Sequence, residues 1–191
     1  MLLLPVPSAA PLPTQRLCLR PYTPADAPSF FALLHHERQR LQPAFPRRTR
    51  DVNTLTDAER LIQQFAQDWR QRRLLVWGIW LRQSNAYLGE ISLQLASPRG
   101  RRVEVSYYLA STAEGHGYAR EALAEIARYT FEHLGSETML LRCRFDNPRS
   151  VRIAQDFGFH EIRSEEPGIR HFHLAAPTNL VAAAKQVDGG W

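Results

Sequence analysis

The chain has 191 residues, of which 44% are hydrophobic and 23% charged, enough to bury one domain-sized core and too apolar for a disordered chain. Basic residues outnumber acidic ones by 24 to 19, but Lys185 is the only lysine, and the arginines are scattered in short pairs such as Arg47-Arg48, Arg72-Arg73 and Arg101-Arg102. There is no basic tail or aromatic–basic stripe, so direct nucleic-acid binding is not expected; an RNA-associated role rests on the pI of 9.7 alone. No run approaches the roughly 20 apolar residues of a membrane span.

Met1-Leu2-Leu3-Leu4-Pro5 is apolar but short, lacks a basic start and is followed by further prolines at positions 7, 11 and 13. No secretory signal is expected from it, and residues 1–14 read as a flexible N-terminal arm. Gln15 to Pro21 alternates Leu17 and Leu19 with arginines, a strand pattern. Thr23-Pro24-Ala25-Asp26 then opens a helix that would bury Phe30, Phe31, Leu33 and Leu34. Residues 37 to 55 are polar, arginine-rich and poorly periodic. Thr56-Asp57-Ala58-Glu59 matches a capping box, followed by Leu61, Ile62, Phe65 and Trp69 at helical spacing. Three strand-like runs follow, Leu74 to Leu81, Ala86 to Leu95 and Arg102 to Ala110. Tyr118 to Leu134 is a long helix with a core stripe of Ala122, Leu123, Ile126, Tyr129, Thr130 and Phe131. Met139 to Phe145 is a strand, Pro148 to Phe157 a short helix, and Phe159 to Arg163 and Arg170 to Ala175 are strands. With no repeat and no linker, the order describes a single mixed α/β domain over residues 15–176, followed by a tail over 177–191.

Cys18 and Cys143 both fall in strand-like runs and lack C-x-x-C or metal-ligand spacing. They read as buried free thiols, which fits a reducing cytoplasm. His35, His36, His171 and His173 show no metal spacing supported by cysteine or carboxylate partners, so no metal is expected.

The stretch Glu114-Gly115-His116-Gly117-Tyr118-Ala119 joins the third of those strands to the long helix. The first N–H groups of a helix have no intrahelical partners and carry partial positive charge, and two glycines leave the backbone beside them uncovered. Such a turn can hold a phosphate. Glycines also occur in ordinary strand–helix turns.

Three motifs in this order resemble the GNAT family of N-acetyltransferases, and most closely its RimJ/RimL branch. Glu104-Val105-Ser106-Tyr107-Tyr108-Leu109 is similar to the branch's E-[IV]-[GS]-Y-x-[LI] strand. Glu114 to Ala119 is similar to the family's [QR]-x-x-G-x-[GA] loop. Asp146-Asn147-Pro148-Arg149-Ser150, with Ala154 and Gly158-Phe159, resembles the N-x-x-S…A…G-F segment. Leu19-Arg20-Pro21 with Asp26 looks like the branch's opening, and the resemblance covers residues 15 to 175. Glu114 departs from the usual Gln or Arg, and a carboxylate pointed at a pyrophosphate would repel it.

The resemblance implies the GNAT acyl-CoA N-acyltransferase fold: a central, mostly antiparallel twisted sheet, splayed at the cofactor site and flanked by helices. It implies acetyl-CoA as cosubstrate. The backbone of Gly115, His116, Gly117, Tyr118 and Ala119 would hold the pyrophosphate, and Tyr108, Leu109 and Ala110 would pair with pantetheine. Asn147 would lie near pantetheine, besides its simpler role of capping the helix at Pro148. Glu104 would collect the amine proton, or would be a surface strand carboxylate paired with Arg101 or Arg102. Ser150 would hydrogen-bond the CoA sulfur, or its own backbone as a helix-start serine. Of Tyr107 and Tyr108, on opposite strand faces, one would be core and the other would line the thioester site.

The resemblance points to a protein N-terminal α-amine as acceptor. Small amines, amino acids and antibiotics remain alternatives, as does a non-catalytic acyl-CoA-binding module. Residues 35 to 55, with Gln42, Phe45 and Arg47, and the last hairpin near 163 to 171 would form the acceptor cleft. Glu90 could reach that cleft but reads more simply as a solvent-facing strand residue. Homodimers are common in the family, and nothing in this sequence demonstrates one.

Overall fold

The computed structural model describes residues 7–95 and 101–177; the first six residues of the expected arm and nearly all of the expected tail lie outside them. In chain order the elements are β1 (Leu12–Pro13), β2 (Leu17–Arg20), α1 (Ala27–His36), α2 (Arg38–Leu41), α3 (Pro46–Asp51), α4 (Leu55–Arg70), β3 (Leu74–Leu81), β4 (Tyr87–Leu95), β5 (Arg102–Leu109), α5 (Tyr118–Glu132), β6 (Thr138–Arg144), α6 (Pro148–Phe157), β7 (His160–Ile162) and β8 (Ile169–Ala175). The eight strands form one mixed sheet in the order β1-β2-β3-β4-β5-β6-β8-β7. Pairing is antiparallel for β1 with β2, β2 with β3, β6 with β8 and β7 with β8, and parallel for β5 with β6. No helix among the described residues is long and apolar enough to cross a membrane.

The chain divides into two compact units. The first comprises Met1–Ser92 with Tyr107–Leu123. Its core gathers Phe30, Leu34, Ile62, Phe65, Val76 and Tyr108, with Leu17, Leu19, Trp77 and Ile79 also fully buried. Each such side chain contributes about 1.5–3 kcal/mol on leaving water. The Leu19-Arg20-Pro21…Asp26 opening has a structural job. Arg20 donates to both oxygens of Asp26, at 2.7 and 2.9 Å, while Asp26 also accepts from the Thr23 amide at 2.7 Å. The strand end and the first helical turn are thus one hydrogen-bonded knot.

The capping box of α4 lies two residues earlier than the sequence suggested. Thr54 accepts from the Asp57 amide at 3.2 Å, and Asp57 accepts from the Thr54 amide at 2.9 Å. Both threonines have a carboxylate three residues on, and it is Thr54 with Asp57 that forms the box. Residues 37 to 55, featureless by periodicity, contain α2 and α3. Arg38 crosses between them and donates to the carbonyls of Thr49 and Val52, a tertiary contact that no amphipathic pattern announces. Leu12 and Pro13, inside the expected arm, pair with Leu19 and Cys18, and Trp69 Nε1 donates to the Pro7 carbonyl at 3.0 Å.

The second unit comprises Leu93–Ser106 with Ala124–Trp191. Strands β5, β6 and β8 bury Val103, Val105, Met139, Leu141 and Phe172 on one face. Successive strand side chains alternate, so Glu104, Leu140, Arg142 and His171 share the opposite face. The β5–β6 ladder runs from Arg102↔Thr138 to Val105↔Leu141, and β5 continues past it to Leu109. Both cysteines are free; Cys143 is buried as expected, but Cys18 is only partly covered.

Gly89 on β4 is required by close approach. A Cβ there would lie 2.1 Å from the Tyr108 carbonyl oxygen and 2.8 Å from Leu109 Cα. Gly89→Ala should therefore cost about 1–3 kcal/mol of stability, read as a lowered urea midpoint. An unchanged midpoint would mean that the β4 and β5 backbones can separate freely there.

Candidate active site

The two glycines of the turn share one backbone conformation. Gly115 and Gly117 have φ of 80° and 78°, the left-handed region that side chains rarely enter. A Cβ on Gly115 would meet nothing within 4 Å, and one on Gly117 would meet only Arg16 Nη2, at 3.5 Å. The exposed backbone of 115–117 leads directly into the first turn of α5. The first N–H groups of an α-helix have no intrahelical acceptor.

Arg16 fixes this turn. Its Nε donates to Glu121 Oε2 at 2.7 Å and its Nη1 to the His116 carbonyl at 2.9 Å, while its guanidinium lies 4.8 Å from the centre of the Tyr118 ring. His116 Nδ1 donates to the Glu114 carbonyl at 2.9 Å, and its ring stacks on Tyr118. In the sequence Arg16 is only a polar residue in a strand pattern; nothing local announces a contact with residues 116 to 121.

Just ahead of the turn, the end of β5 is held from the α1–α2 corner. Arg40 Nε donates to Glu37 at 2.6 Å, its Nη1 to Glu114 at 2.8 Å, and its Nη2 to the Leu109 carbonyl. Glu37 also accepts from the Ser111 amide at 2.8 Å and hydroxyl at 2.6 Å. Burial opposes the charge on Glu37, but the Ser111 and Arg40 donors outweigh it and hold the carboxyl down at about 2. Ala110 donates its N–H to the Leu88 carbonyl and accepts from Ala113, at 2.8 and 2.9 Å. Its N–H is therefore committed, as is the Leu109 carbonyl held by Arg40.

Tyr108 is the core member of the tyrosine pair, 4% exposed and edge-on to Phe45. Its hydroxyl donates to Glu90 at 3.3 Å. Glu90 does not face solvent as the strand pattern suggested: it is 2% exposed. Arg48 reaches it at 3.1 Å, and the Tyr22 and Tyr87 hydroxyls, 2.7 Å apart, complete the group. Burial, and then the Glu90 charge, push the Tyr108 hydroxyl well above its ordinary value. Alternation cannot separate this face from solvent, because the helix supplying Arg48 carries no periodic pattern of its own. Of the acceptor candidates, Phe45 packs on Tyr108, while Gln42 and Arg47 are exposed.

In the second unit, Glu104 lines a cleft with Arg102, Leu140, Arg142, Ile162, Glu166 and His171. Its partner is Arg142, not Arg101 or Arg102: Arg142 Nε donates to Glu104 Oε1 at 2.7 Å. The parallel register sets Glu104 beside Leu140, so Arg142 is the next residue on the same face. Arg142 Nη1 also donates to Glu166 at 3.1 Å, and His171 Nε2 lies 3.4 Å from the same carboxylate. Glu104 thus meets part of the expected last-hairpin region. Asn147 caps α6, its Oδ1 accepting from the Ser150 amide at 3.2 Å, and Ser150 is half-buried in the first turn.

These motifs have relatives. The acetyltransferase (GNAT) domain family matches residues 16–160. The uncharacterized N-acetyltransferase YoaA of Bacillus subtilis (strain 168) is 27% identical over 150 residues, which is 78% of this chain and 82% of that one. RimL, the ribosomal L7/L12 alpha-N-protein acetyltransferase in complex with coenzyme A, shares the fold with a TM-score of 0.76 at 17% identity, over 87% of this chain and 98% of its own. Mycobacterium smegmatis RimJ in complex with CoA-disulfide superposes with a TM-score of 0.73 at 20% identity, over 88% and 89%. With the strand, the glycine turn and the Asn147 to Ser150 segment each in its expected local structure, the chain belongs to the GNAT family and is an acetyltransferase.

Proposed function

We propose that this acetyltransferase moves an acetyl group from acetyl-CoA to a primary amine, with a protein N-terminal α-amine as the acceptor class. The left-handed glycine turn opening α5 carries the cofactor half of this reading, because its bare backbone at a helix start suits a pyrophosphate. The CoA bound to RimL and RimJ supports the same assignment, and the protein α-amine substrate of RimL supports the acceptor class.

In this reading the residues of the turn bind and the backbone of Tyr108 and Leu109 orients the pantetheine arm. Glu104 takes the proton of the attacking amine, directly or through water. Arg142 engages only Oε1, so Oε2 is the oxygen that receives it. The amine nitrogen forms its bond to the thioester carbonyl carbon, the carbon–sulfur bond breaks, and the electron pair leaves on sulfur. Ser150 donates a hydrogen bond to that sulfur. Positioning supplies much of the rate, since direct attack needs the nitrogen about 3 Å from the carbonyl carbon.

Free-thiol release with N-terminal peptides, polyamines, amino acids and aminoglycosides tests the acceptor. Release with peptides alone is expected; release with small amines alone would reassign the class. Gly117→Trp should abolish calorimetric acetyl-CoA binding while leaving the circular dichroism unchanged; normal binding would move the cofactor elsewhere. Glu104→Gln should lower kcat about 10²–10⁴-fold with acetyl-CoA affinity kept, and wild-type turnover would remove its role as base. Ser150→Ala should lower kcat about tenfold, whereas no change would leave Ser150 as a plain helix-start residue.

A further inference from the structure

Within the second unit, Arg142 sits where β5, β6 and the loop over residues 163–168 meet. The β5–β6 ladder pairs Glu104 with Leu140 and ends at Val105↔Leu141, and Arg142 is the next β6 residue on the Glu104 face. Across the β6–β8 ladder its partner is His171, which pairs in turn with Ile162 of β7. From this row the guanidinium reaches a carboxylate on each side. Its Nε donates to Glu104 Oε1 at 2.7 Å, and its Nη1 donates to Glu166 Oε1 at 3.1 Å and Oε2 at 3.4 Å. Glu166 is itself held within the loop: its amide donates to the Ser164 hydroxyl at 3.1 Å, and its carbonyl accepts from the Ile169 amide at 3.2 Å. His171 Nε2 lies 3.4 Å from Glu166 Oε1.

The ladder fixes the backbone of Glu104 but not its carboxylate, which turns about its own side-chain torsions. Arg142 and Glu104 keep 45% and 26% of their side chains exposed, so charge attraction alone would hold them loosely. The second anchor changes this. A guanidinium is a planar fork, and with Nη1 committed to Glu166 the direction of its Nε–H is set. We propose that Arg142 is a positioning residue for the base: anchored by Glu166, it holds Glu104 through Oε1 and leaves Oε2 for the amine proton. This rests on the reading of Glu104 as the base. In this role Arg142 acts through Glu104, not on the acceptor or the cofactor, so its loss falls on kcat and not on binding. The same guanidinium fastens the base to the hairpin loop expected to meet the acceptor.

The test is free-thiol release from acetyl-CoA by the full chain, with the fastest acceptor among N-terminal peptides, polyamines, amino acids and aminoglycosides. Arg142→Gln should lower kcat about tenfold, while acceptor KM and calorimetric acetyl-CoA affinity stay within about twofold. In a Glu104→Gln chain the same substitution should cost nothing further, because the carboxylate it positions is gone. A comparable loss repeated in that background, a raised acceptor KM with kcat kept, or wild-type kcat in Arg142→Gln would each overturn the role. Glu166→Ala removes the anchor without touching Glu104 and should lower kcat about threefold, again with no further loss beside Glu104→Gln. It decides alone if Arg142→Gln does not fold, since wild-type kcat there overturns the anchored role. Glu104→Gln separates the two levels. Wild-type turnover in it removes the base and its positioning residue together, whereas a slow Glu104→Gln beside a fast Arg142→Gln removes only the positioning role.

Discussion

A helix cannot satisfy its own first N–H groups, and at the N-terminus of α5 the proposed reading gives them to a pyrophosphate. An uncovered helix end is mobile unless something holds it without covering it. Glycine at 115 and 117 provides the lack of cover, since each sits at a positive φ that would strain any other residue. Arg16 and Glu121 provide the hold from one side, and Arg40 and Glu37 from the other. None of these four puts a Cβ into the turn. The backbone is fixed by guanidinium forks that reach carbonyls and carboxylates around it. In the proposed reading this gives a pyrophosphate site formed before the anion arrives, which lowers the ordering cost of binding.

The buried centre of the first unit follows a different logic. Glu90 is nearly inaccessible, and a carboxylate there costs several kcal/mol unless paired and hydrogen-bonded. Arg48 supplies the charge, while Tyr108 and Tyr22 approach the same carboxylate. Arg48 belongs to α3 and stacks over Phe65 of α4, at 4.4 Å from its ring centre. One ion pair therefore registers α3 against β4 and β5. Such pairs give little net stability but penalise every arrangement in which the partners do not meet. That is a useful property here, because α3 has only six residues and too little apolar surface to choose its own position.

The sequence was most legible where structure is local. The helix Pro148–Phe157 is legible to the residue, since Asn147, Pro148 and Gly158 mark both ends chemically. The core stripe of α5 followed from helical spacing, and all six of its residues are buried. Legibility failed where a long-range contact decides the outcome. Helices α2 and α3 form because Arg38 and Arg48 find partners far along the chain or across a turn. Glu90 is buried for the same reason. Glu104 stands out in its motif, but its partner Arg142 lies 38 residues away and becomes visible only through the strand register. Residue types announce chemistry; the pairing of residues from separate elements is written in the topology.

The basic pI also changes meaning. The excess of arginine with a single lysine first suggests an anion-attracting surface. In the folded chain, Arg16, Arg20, Arg38, Arg40, Arg48 and Arg142 each make two or more directed bonds within the protein. Lysine could not replace them, because an ammonium is a compact point charge and cannot span a carbonyl and a carboxylate in a fixed plane. Much of the positive charge is therefore consumed by architecture. The composition that raises the pI is the one needed to pin short helices and an open glycine turn with planar, multidentate donors, so the pI says more about how this fold is fastened than about what it binds.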